Sequence, residues 1–389
     1  AAFGYTGNIN KSVYPQLVMD YSTSFRKADD DNYRRGYIKN APNPTLRWEK
    51  TRDMKVSVDI GFFNDRLRLQ GELYDRRTRD AVTSVPVPYT TGFSYQSYNT
   101  SELLNQGAEL TVSAQILKMK DWSASISANM AYNRNKLLKY EASNPNMFGS
   151  TNVGYPLGAI FSGKVQGIDK KLGIYTYEVR SDSKMETAAD RSKAENYAFY
   201  LGTSNAPVNG GYSFTLSYKK LTLSLGGSYS LGGKIKNNII CPVNYNTLDK
   251  STNEKIPTQE NDLYVNFLNV TKDVVNRWTA NNPITNAHPR IIDAYGEYLG
   301  LDDYMVTSSN ITDASMLENV SYFKLNSLML SYNFDEMKWL QKAHINSLGV
   351  SLSMTNLFTV TNYSGIDPET PGAVYPTPRT FSIGLSVGF

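Results

Sequence analysis

The nine residues from Phe381 to Phe389, FSIGLSVGF, alternate apolar with small or polar side chains without a break. Successive side chains of a strand point to opposite faces, so one face here is Phe, Ile, Leu, Val and Phe and the other only Ser and Gly. Such a strand suits lipid on one side and a lumen or tight packing on the other, although a soluble sandwich strand shows the same period. The rest of the sequence decides between them. Val56, Val58, Ile60 and Phe62 alternate with Lys55, Ser57, Asp59 and Gly61, and Trp122, Ala124, Ile126, Ala128, Met130 and Tyr132 alternate with Ser123, Ser125, Ser127, Asn129 and Ala131. Both runs are long for a soluble strand. Further segments lie near 13–27, 66–84, 102–116, 157–168, 172–179, 211–218, 220–236, 320–334, 344–358 and 378–389, giving about twelve strands of an antiparallel β-protein.

The connections separate a barrel from a sandwich, because a membrane barrel has short turns at one end and long loops at the other, in strict alternation. Short links are expected near Asn64-Asp65, Lys118 to Lys120, Asp169 to Lys171, Lys219-Lys220 and Glu336 to Lys342. Long ones fall between them, near 28–44, 85–101, 139–156, 180–210, 237–319 and 359–377. The strand at 172–179 is needed to keep this alternation in phase. No apolar run of about 18 residues exists, which excludes a transmembrane helix and leaves a β-barrel open. The 28 tyrosines suit the aromatic girdles at the two membrane interfaces. A net charge of +4, from 40 basic and 36 acidic residues, is too balanced for a nucleic-acid partner.

Direction follows from the terminal strand, which in a membrane barrel ends on the periplasmic side. The strand near 13–27 is then expected to run outward, with Thr6-Gly7-Asn8 as a periplasmic turn before it and Ala2-Phe3-Gly4-Tyr5 as the stub of an earlier strand. The chain would start in mid-strand. No signal peptide is read in its opening residues, and any targeting sequence is expected upstream or removed. A cut barrel has unpaired edges that lipid does not tolerate, so further strands are expected from elsewhere.

Several stretches carry a resemblance to one family. Asn43-Pro44-Thr45-Leu46-Arg47-Trp48-Glu49-Lys50-Thr51 resembles the NPxLxWEKT signature of the SusC/RagA family of TonB-dependent outer-membrane transporters. Tyr74 to Asp80 (YDRRTRD) is similar to its Y-[DEN]-[KR]-x-T-x-D stretch, and Asn105-Gln106-Gly107-Ala108-Glu109-Leu110 to its N-x-G-x-E-[LF] pattern. Ser321-Tyr322-Phe323-Lys324-Leu325 with Leu330-Ser331-Tyr332 resembles SYxRL...LSY, and Asn356 to Glu369 resembles NLFxxTxYxGxDPE. Tyr375 to Phe381 matches YPxPRTF, and Gly4 to Asn8 is similar to a G-x-T-G-N turn. In order and spacing these matches span residues 4–389. The family's D-x-N-G-D-G stretch is not found between Glu178 and Ala206, which puts any ion or turn associated with it in doubt.

The resemblance implies an all-β, antiparallel transmembrane barrel of 22 strands with an N-terminal plug, a size class known for outer-membrane transporters. Residues 1–389 would supply about the last twelve strands; the plug, the TonB box and the first strands would lie outside them. It further implies an outer-membrane location in a Gram-negative, Bacteroidetes-like cell, embedded in outer-membrane lipid, and TonB-dependent import of an oligosaccharide or peptide. The partners implied are a SusD-like surface lipoprotein as a lid, TonB through the missing N-terminal region, and the rest of the barrel and plug.

Catalysis finds little support. The two histidines, His288 and His344, have no metal-binding spacing, the single Cys241 forms no disulfide pair, and neither a P-loop nor a G-x-S-x-G elbow is present. A barrel phospholipase would need a serine with a histidine base, and His344 offers no persuasive partner. No enzyme activity, cofactor or metal is therefore expected. Gly-Gly pairs at 210–211, 226–227 and 232–233 read as strand relief or bulges rather than phosphate cradles. Asp367-Pro368-Glu369 reads as a Pro-fixed turn before a calcium or sugar site, and Asp29-Asp30-Asp31 as a solvated loop tip; neither has calcium-loop spacing. The 237–319 segment, read as a long extracellular loop, is the expected recognition element. Tyr264, Phe267, Trp278, Tyr295, Tyr298 and Tyr304 within it are the candidates for ligand or lid contact, with self-packing of the loop as the alternative for each. Arg277-Trp278-Thr279 with Pro283 and Pro289 resembles a recurring RWT...P stretch of the family and argues for a shared loop fold. The competing function is a surface glycan-binding β-protein that does not transport.

Overall fold

The structure, a computed structural model, describes residues 1–9, 11, 13–21, 36–141, 151–171, 173, 175–182, 194–237, 276, 278–279, 281, 283, 317–334, 340, 344–373 and 375–388. They fall into two compact units. The first is Ala1–Asn146 with Thr151–Leu157 and Pro207–Lys219; the second is Met147–Ser150 with Gly158–Ala206 and Lys220–Phe389.

In the first unit, β1 (Ala2–Asn8), β4 (Glu49–Phe62), β5 (Leu67–Pro86), β6 (Tyr95–Lys118), β7 (Trp122–Lys139) and β12 (Val208–Tyr218) form an antiparallel sheet in the order β1-β4-β5-β6-β7-β12. Directly opposed residues share a face, and the register aligns the apolar residues of all the strands. Val58, Gly71, Leu110, Met130 and Gly210 form one row, and Ile60, Leu69, Val112, Ala128 and Tyr212 the next. Val56, Val58, Leu73 and Leu110 on this face are exposed, as lipid-facing side chains are. The other face is polar: Asp59, Gln70, Thr111 and Asn129 lie in one row, with Arg68 Nη2 and Gln70 Nε2 donating to Asp59 Oδ2 at 2.5 and 3.0 Å. The ten residue steps from Trp122 to Tyr132 give an apolar band of about 26 Å at the usual strand rise and a tilt of roughly 40°, close to the band of outer-membrane barrels. Trp122 and Tyr218 close it at one end, their ring centroids 4.2 Å apart.

That end carries the tight turns. Phe63, Asn64 and Asp65 turn β4 into β5 with φ of 55, 54 and 61°, and Met119 N–H donates to Trp122 O (2.8 Å) between β6 and β7. Three successive non-glycine residues in the left-handed region are costly, which Asn and Asp tolerate best. At the other end β5 and β6 continue well past the apolar band as a ribbon.

In the second unit, β13 (Leu221–Lys236), β14 (Leu317–Asn333), β15 (Ser347–Thr361) and β16 (Thr380–Gly388) follow in sequence order, all antiparallel. Their rows repeat the two-faced plan. Leu223, Leu330, Leu352 and Ile383 share the apolar face, while Thr222, Ser331, Ser351 and Gly384 share the other. Register shifts at Gly226/Gly227 and between Ser230 and Gly233 mark bulges at two of the Gly-Gly pairs, whereas Gly210-Gly211 lies in regular pairing.

Several expectations require correction. Of the segment expected as a strand near 13–27, the described residues 13–21 do not join the main sheet: β2 (Val18–Tyr21) pairs with β3 (Gly36–Asn40) as a separate ribbon, and β1 pairs directly with β4. Thr6-Gly7-Asn8 is therefore strand, not a periplasmic turn, and Ala2–Tyr5 belongs to that same strand. The segments near 157–168 and 172–179 form β8 (Ala159–Ser162), β9 (Val165–Ile168) and β10 (Tyr175–Tyr177); β9 pairs with β10 and β8 with β11 (Phe199–Thr203), in two small ribbons. Asp169 to Lys171 is thus a turn within a long connection. β7 pairs with β12 instead, so removing two expected strands leaves the alternation of turns in phase. Among the described residues six main-sheet strands lie in the first unit and four in the second, against the expected twelve or so. The expected loop at 85–101 is mostly strand, and the 237–319 loop gives up Leu317–Asn319 to β14.

Candidate functional sites at the long-connection ends

Most of the family-like motifs sit at the ends opposite the tight turns, and within each unit they form a network of buried and half-buried polar groups, whereas Leu330-Ser331-Tyr332 pairs with residues 221–223 at the turn end. In the first unit Asn43 is buried and turns the chain onto β6: its Oδ1 accepts from Thr45 N–H (3.0 Å) and Thr45 Oγ1 (2.6 Å), and its Nδ2 donates to Ser97 O (2.6 Å). Glu49 accepts from the Val82 N–H at 3.0 Å and from Asn8 Nδ2 at 3.1 Å. The Thr51 and Thr78 hydroxyls hydrogen-bond at 2.9 Å. Asp80 holds a φ of 58° where the pairing of β5 with β6 shifts, and Arg47 Nη2 donates to its carboxylate at 2.6 Å while Asn99 Nδ2 donates to its carbonyl at 2.6 Å. NPxLxWEKT and YDRRTRD therefore clasp a bulged corner.

Gly107 has an equally local reason. It faces Tyr74 across the β5–β6 pair, and a Cβ on Gly107 would run into the tyrosine ring, its hydroxyl and the Tyr132 carbonyl. The Tyr74 hydroxyl lies 3.1 Å from Asn133 Oδ1 and donates to it.

In the second unit the segment after β15 is tied to the polar face of the sheet. Lys324 on β14 is buried, with its Nζ 2.5 Å from Glu369 Oε2 and 3.9 Å from Asp367 Oδ2. Asp367 is also buried; Thr377 Oγ1 donates to its Oδ2 (2.6 Å) and the Glu369 N–H to its Oδ1 (2.9 Å). Burial by itself pushes the Asp367 carboxyl upward, yet these two hydrogen bonds and the Lys324 charge hold it below the ordinary carboxylate value. Asp367-Pro368-Glu369 is thus a turn, as read from sequence, and its acids are spent on a buried lysine. Beside it Glu318 accepts from Ser364 N–H (2.8 Å), Ser364 Oγ (2.5 Å) and Asn237 Nδ2 (2.8 Å).

Of the six aromatic candidates, the structure describes Trp278. It is buried, its ring lies against Gly173, which has a φ of 70°, and its Nε1 donates to Lys170 O at 3.0 Å. It packs on the turn after β9. Tyr264, Phe267, Tyr295, Tyr298 and Tyr304 lie outside the described residues, as do Asp29-Asp30-Asp31, Cys241 and His288. Lys324 enters the sequence reading only as part of a motif; its parity with Leu328 and Leu330 gives no signal of a polar-face role, because the bulge at Asn326 is what turns it to that face.

Comparison with known proteins completes the picture. The chain is 26% identical to TonB-dependent receptor P3 of Formosa agariphila, covering all of this chain and 39% of that protein. It is 25% identical to TonB-dependent receptor SusC of Bacteroides thetaiotaomicron, covering 99% of this chain and 35% of the relative. Among solved structures, that of the RagAB peptide transporter superposes with a TM-score of 0.76 at 28% identity, over all of this chain and 40% of the matched chain. The chain spans about two fifths of the length of these relatives. Residues 12–357 match the family described as TonB dependent receptor-like, beta-barrel, and with the SusC and RagA likenesses across the whole chain, this protein belongs to that β-barrel family, in its SusC/RagA group.

Proposed function

We propose that these residues form the C-terminal barrel wall of an outer-membrane, TonB-dependent importer whose work is translocation rather than bond chemistry. The observation that carries the reading is the two-faced register: apolar rows run unbroken over one face of each sheet and polar rows over the other. A surface glycan-binding protein in water has no use for such a band, whereas a barrel wall needs lipid on one side and a wet lumen on the other. The cargo is a peptide or an oligosaccharide. Peptide is the first to test, because a relative of known structure is a peptide transporter.

A SusD-like lipoprotein is the partner we propose over the long-connection end, with TonB acting on a plug supplied upstream. The clasps hold the roots of the loops rigid, so the segment between β13 and β14 can carry recognition on a fixed base. Trp278 anchors that segment, and Tyr264, Phe267, Tyr295, Tyr298 and Tyr304 are the side chains we assign to ligand or lid. Dispersed contacts of this kind bind weakly enough to release cargo. Uptake of labelled peptides and oligosaccharides by cells carrying the intact gene, or the gene lacking the 245–310 tip, tests the reading. Loss of uptake or of lipoprotein co-purification, with the barrel still heat-modifiable, is expected; undiminished uptake and co-purification refute the role of the tip.

A further inference from the structure

Resting on the barrel reading above, we propose that the apolar face of the first unit continues, beyond the membrane band, into a binding surface for the phosphate-bearing headgroup of an outer-leaflet glycolipid. The register carries the apolar side of β4, β5, β6 and β7 past Val56, Leu73, Ala108 and Tyr132 into two further rows. The first is Met54, Asp75, Gln106 and Arg134; the second is Arg52, Arg77, Leu104 and Lys136, with Lys50 opposite Arg79 beyond it. Six cations thus stand with two carboxylates, Asp75 and Glu102, on the lipid side of the sheet.

The charge arrangement is what distinguishes this patch. On the polar face at the same height opposite charges face each other, as in Arg76 Nε with Asp53 Oδ2 at 3.0 Å and Lys55 Nζ with Glu72 Oε2 at 3.1 Å. On the lipid side like charges do: Arg52 is directly opposite Arg77, and Lys50 opposite Arg79. Like charges directly opposed on one face destabilise a sheet. Asp75 takes Arg52 at 2.8 Å, and Glu102 takes Arg79 at 3.0 Å and also Arg77. Lys50, Arg134 and Lys136 pair with no carboxylate among the described residues, and Lys50 and Arg134 are exposed. The excess positive charge calls for an anion from outside the chain. Arg134 lies two residues beyond Tyr132, roughly 5 Å further along the membrane normal, which is the level of the headgroups. Guanidinium groups pair bidentately with phosphate oxygens, and basic side chains just outside an apolar band attract anionic headgroups.

The test uses the full-length transporter in dodecyl maltoside, with bisphosphorylated lipid A and the same glycolipid stripped of both phosphates as probes, read by native mass spectrometry. The expected result is at least tenfold tighter binding of the phosphorylated form, lost in an Arg52→Gln/Arg77→Gln/Arg134→Gln variant. The polar-face variant Arg68→Gln/Arg76→Gln, which removes charge from the same strands, is expected to bind within twofold of the parent. Lys50→Gln/Lys136→Gln breaks no ion pair, guards against misfolding, and is expected to weaken binding severalfold. Equal binding of the two probes, equal loss in the polar-face variant, or loss of lipoprotein co-purification with lipid binding intact each overturns the proposal. Membrane fractionation and uptake on the same strains keep the readings apart: a parent protein that sits in the outer membrane and imports cargo while ignoring the phosphates refutes this inference alone, whereas a parent found outside the outer membrane refutes the barrel reading.

Discussion

Lys324 shows how one residue ties a loop to a strand. Its ammonium is buried beside two carboxylates, and such a pair holds only while every member is present, since removing one partner strands a buried charge. Lys324→Met is expected to loosen residues 362–377 by about 3–5 kcal/mol, read as faster hydrogen exchange in that segment, with the apolar strands unchanged. Asp367 adds a pH dependence. Its folded pKa is depressed, so its contribution is fully present above the ordinary Asp value of about 3.9 and is lost as pH falls through the lower folded value. Pepsin at pH 3 is therefore expected to cut within 362–377 faster in the parent than in Asp367→Asn relative to their own rates near pH 5; equal acid sensitivity would show that Asp367 is not the titrating group. Gly107→Ala tests the other local rule. The added methyl meets the Tyr74 ring and the Tyr132 carbonyl, and a cost of about 1–3 kcal/mol is expected, partly relieved by Tyr74→Ala because only the ring can move away.

At the scale of strands, the apolar rows predict opposite outcomes for neighbouring positions. Leu352 lies between Leu330 and Ile383 on the apolar face, and Ser351 between Ser331 and Gly384 on the other. Leu352→Arg is expected to destabilise the barrel by about 2–4 kcal/mol in guanidine unfolding from liposomes, and Ser351→Arg to cost far less, because only the first puts a charge in hydrocarbon. These strands were legible because their alternation is long and fixes a face at every residue. What alternation cannot supply is a partner. Val18–Tyr21 and Tyr175–Tyr177 have strand-like sequences too, yet each pairs with a nearby short segment, and nothing local distinguishes such a ribbon from a strand of the wall. Bulges hide from periodicity for a related reason: the extra residue at Asn326 shifts the phase, so Lys324 lies on the polar face although its parity with Leu328 and Leu330 places it on the other. The motif residues of the clasps were visible as patterns, but their roles depend on contacts between distant positions such as Glu49 and Val82.

At the scale of the whole molecule, the two outer strands β1 and β16 set the tightest constraint. Among the described residues β1 pairs with β4 alone and β16 with β15 alone, and the exposed Phe3, Tyr5, Phe381, Ile383 and Leu385 line those two strands. An unpaired row of backbone N–H and C=O groups costs several kcal/mol per group in hydrocarbon, so neither edge is stable in a bilayer without a neighbour. The relatives are more than twice as long as this chain, which is the length needed to supply further strands. Intact-mass analysis of the protein denatured from purified outer membranes is therefore expected to find these residues within a longer polypeptide, or beside a second chain that supplies the missing wall. A monomer of these 389 residues alone, monodisperse in detergent and protected from exchange along both β1 and β16, would mean that the edges close on each other, and the partial-wall reading would fall.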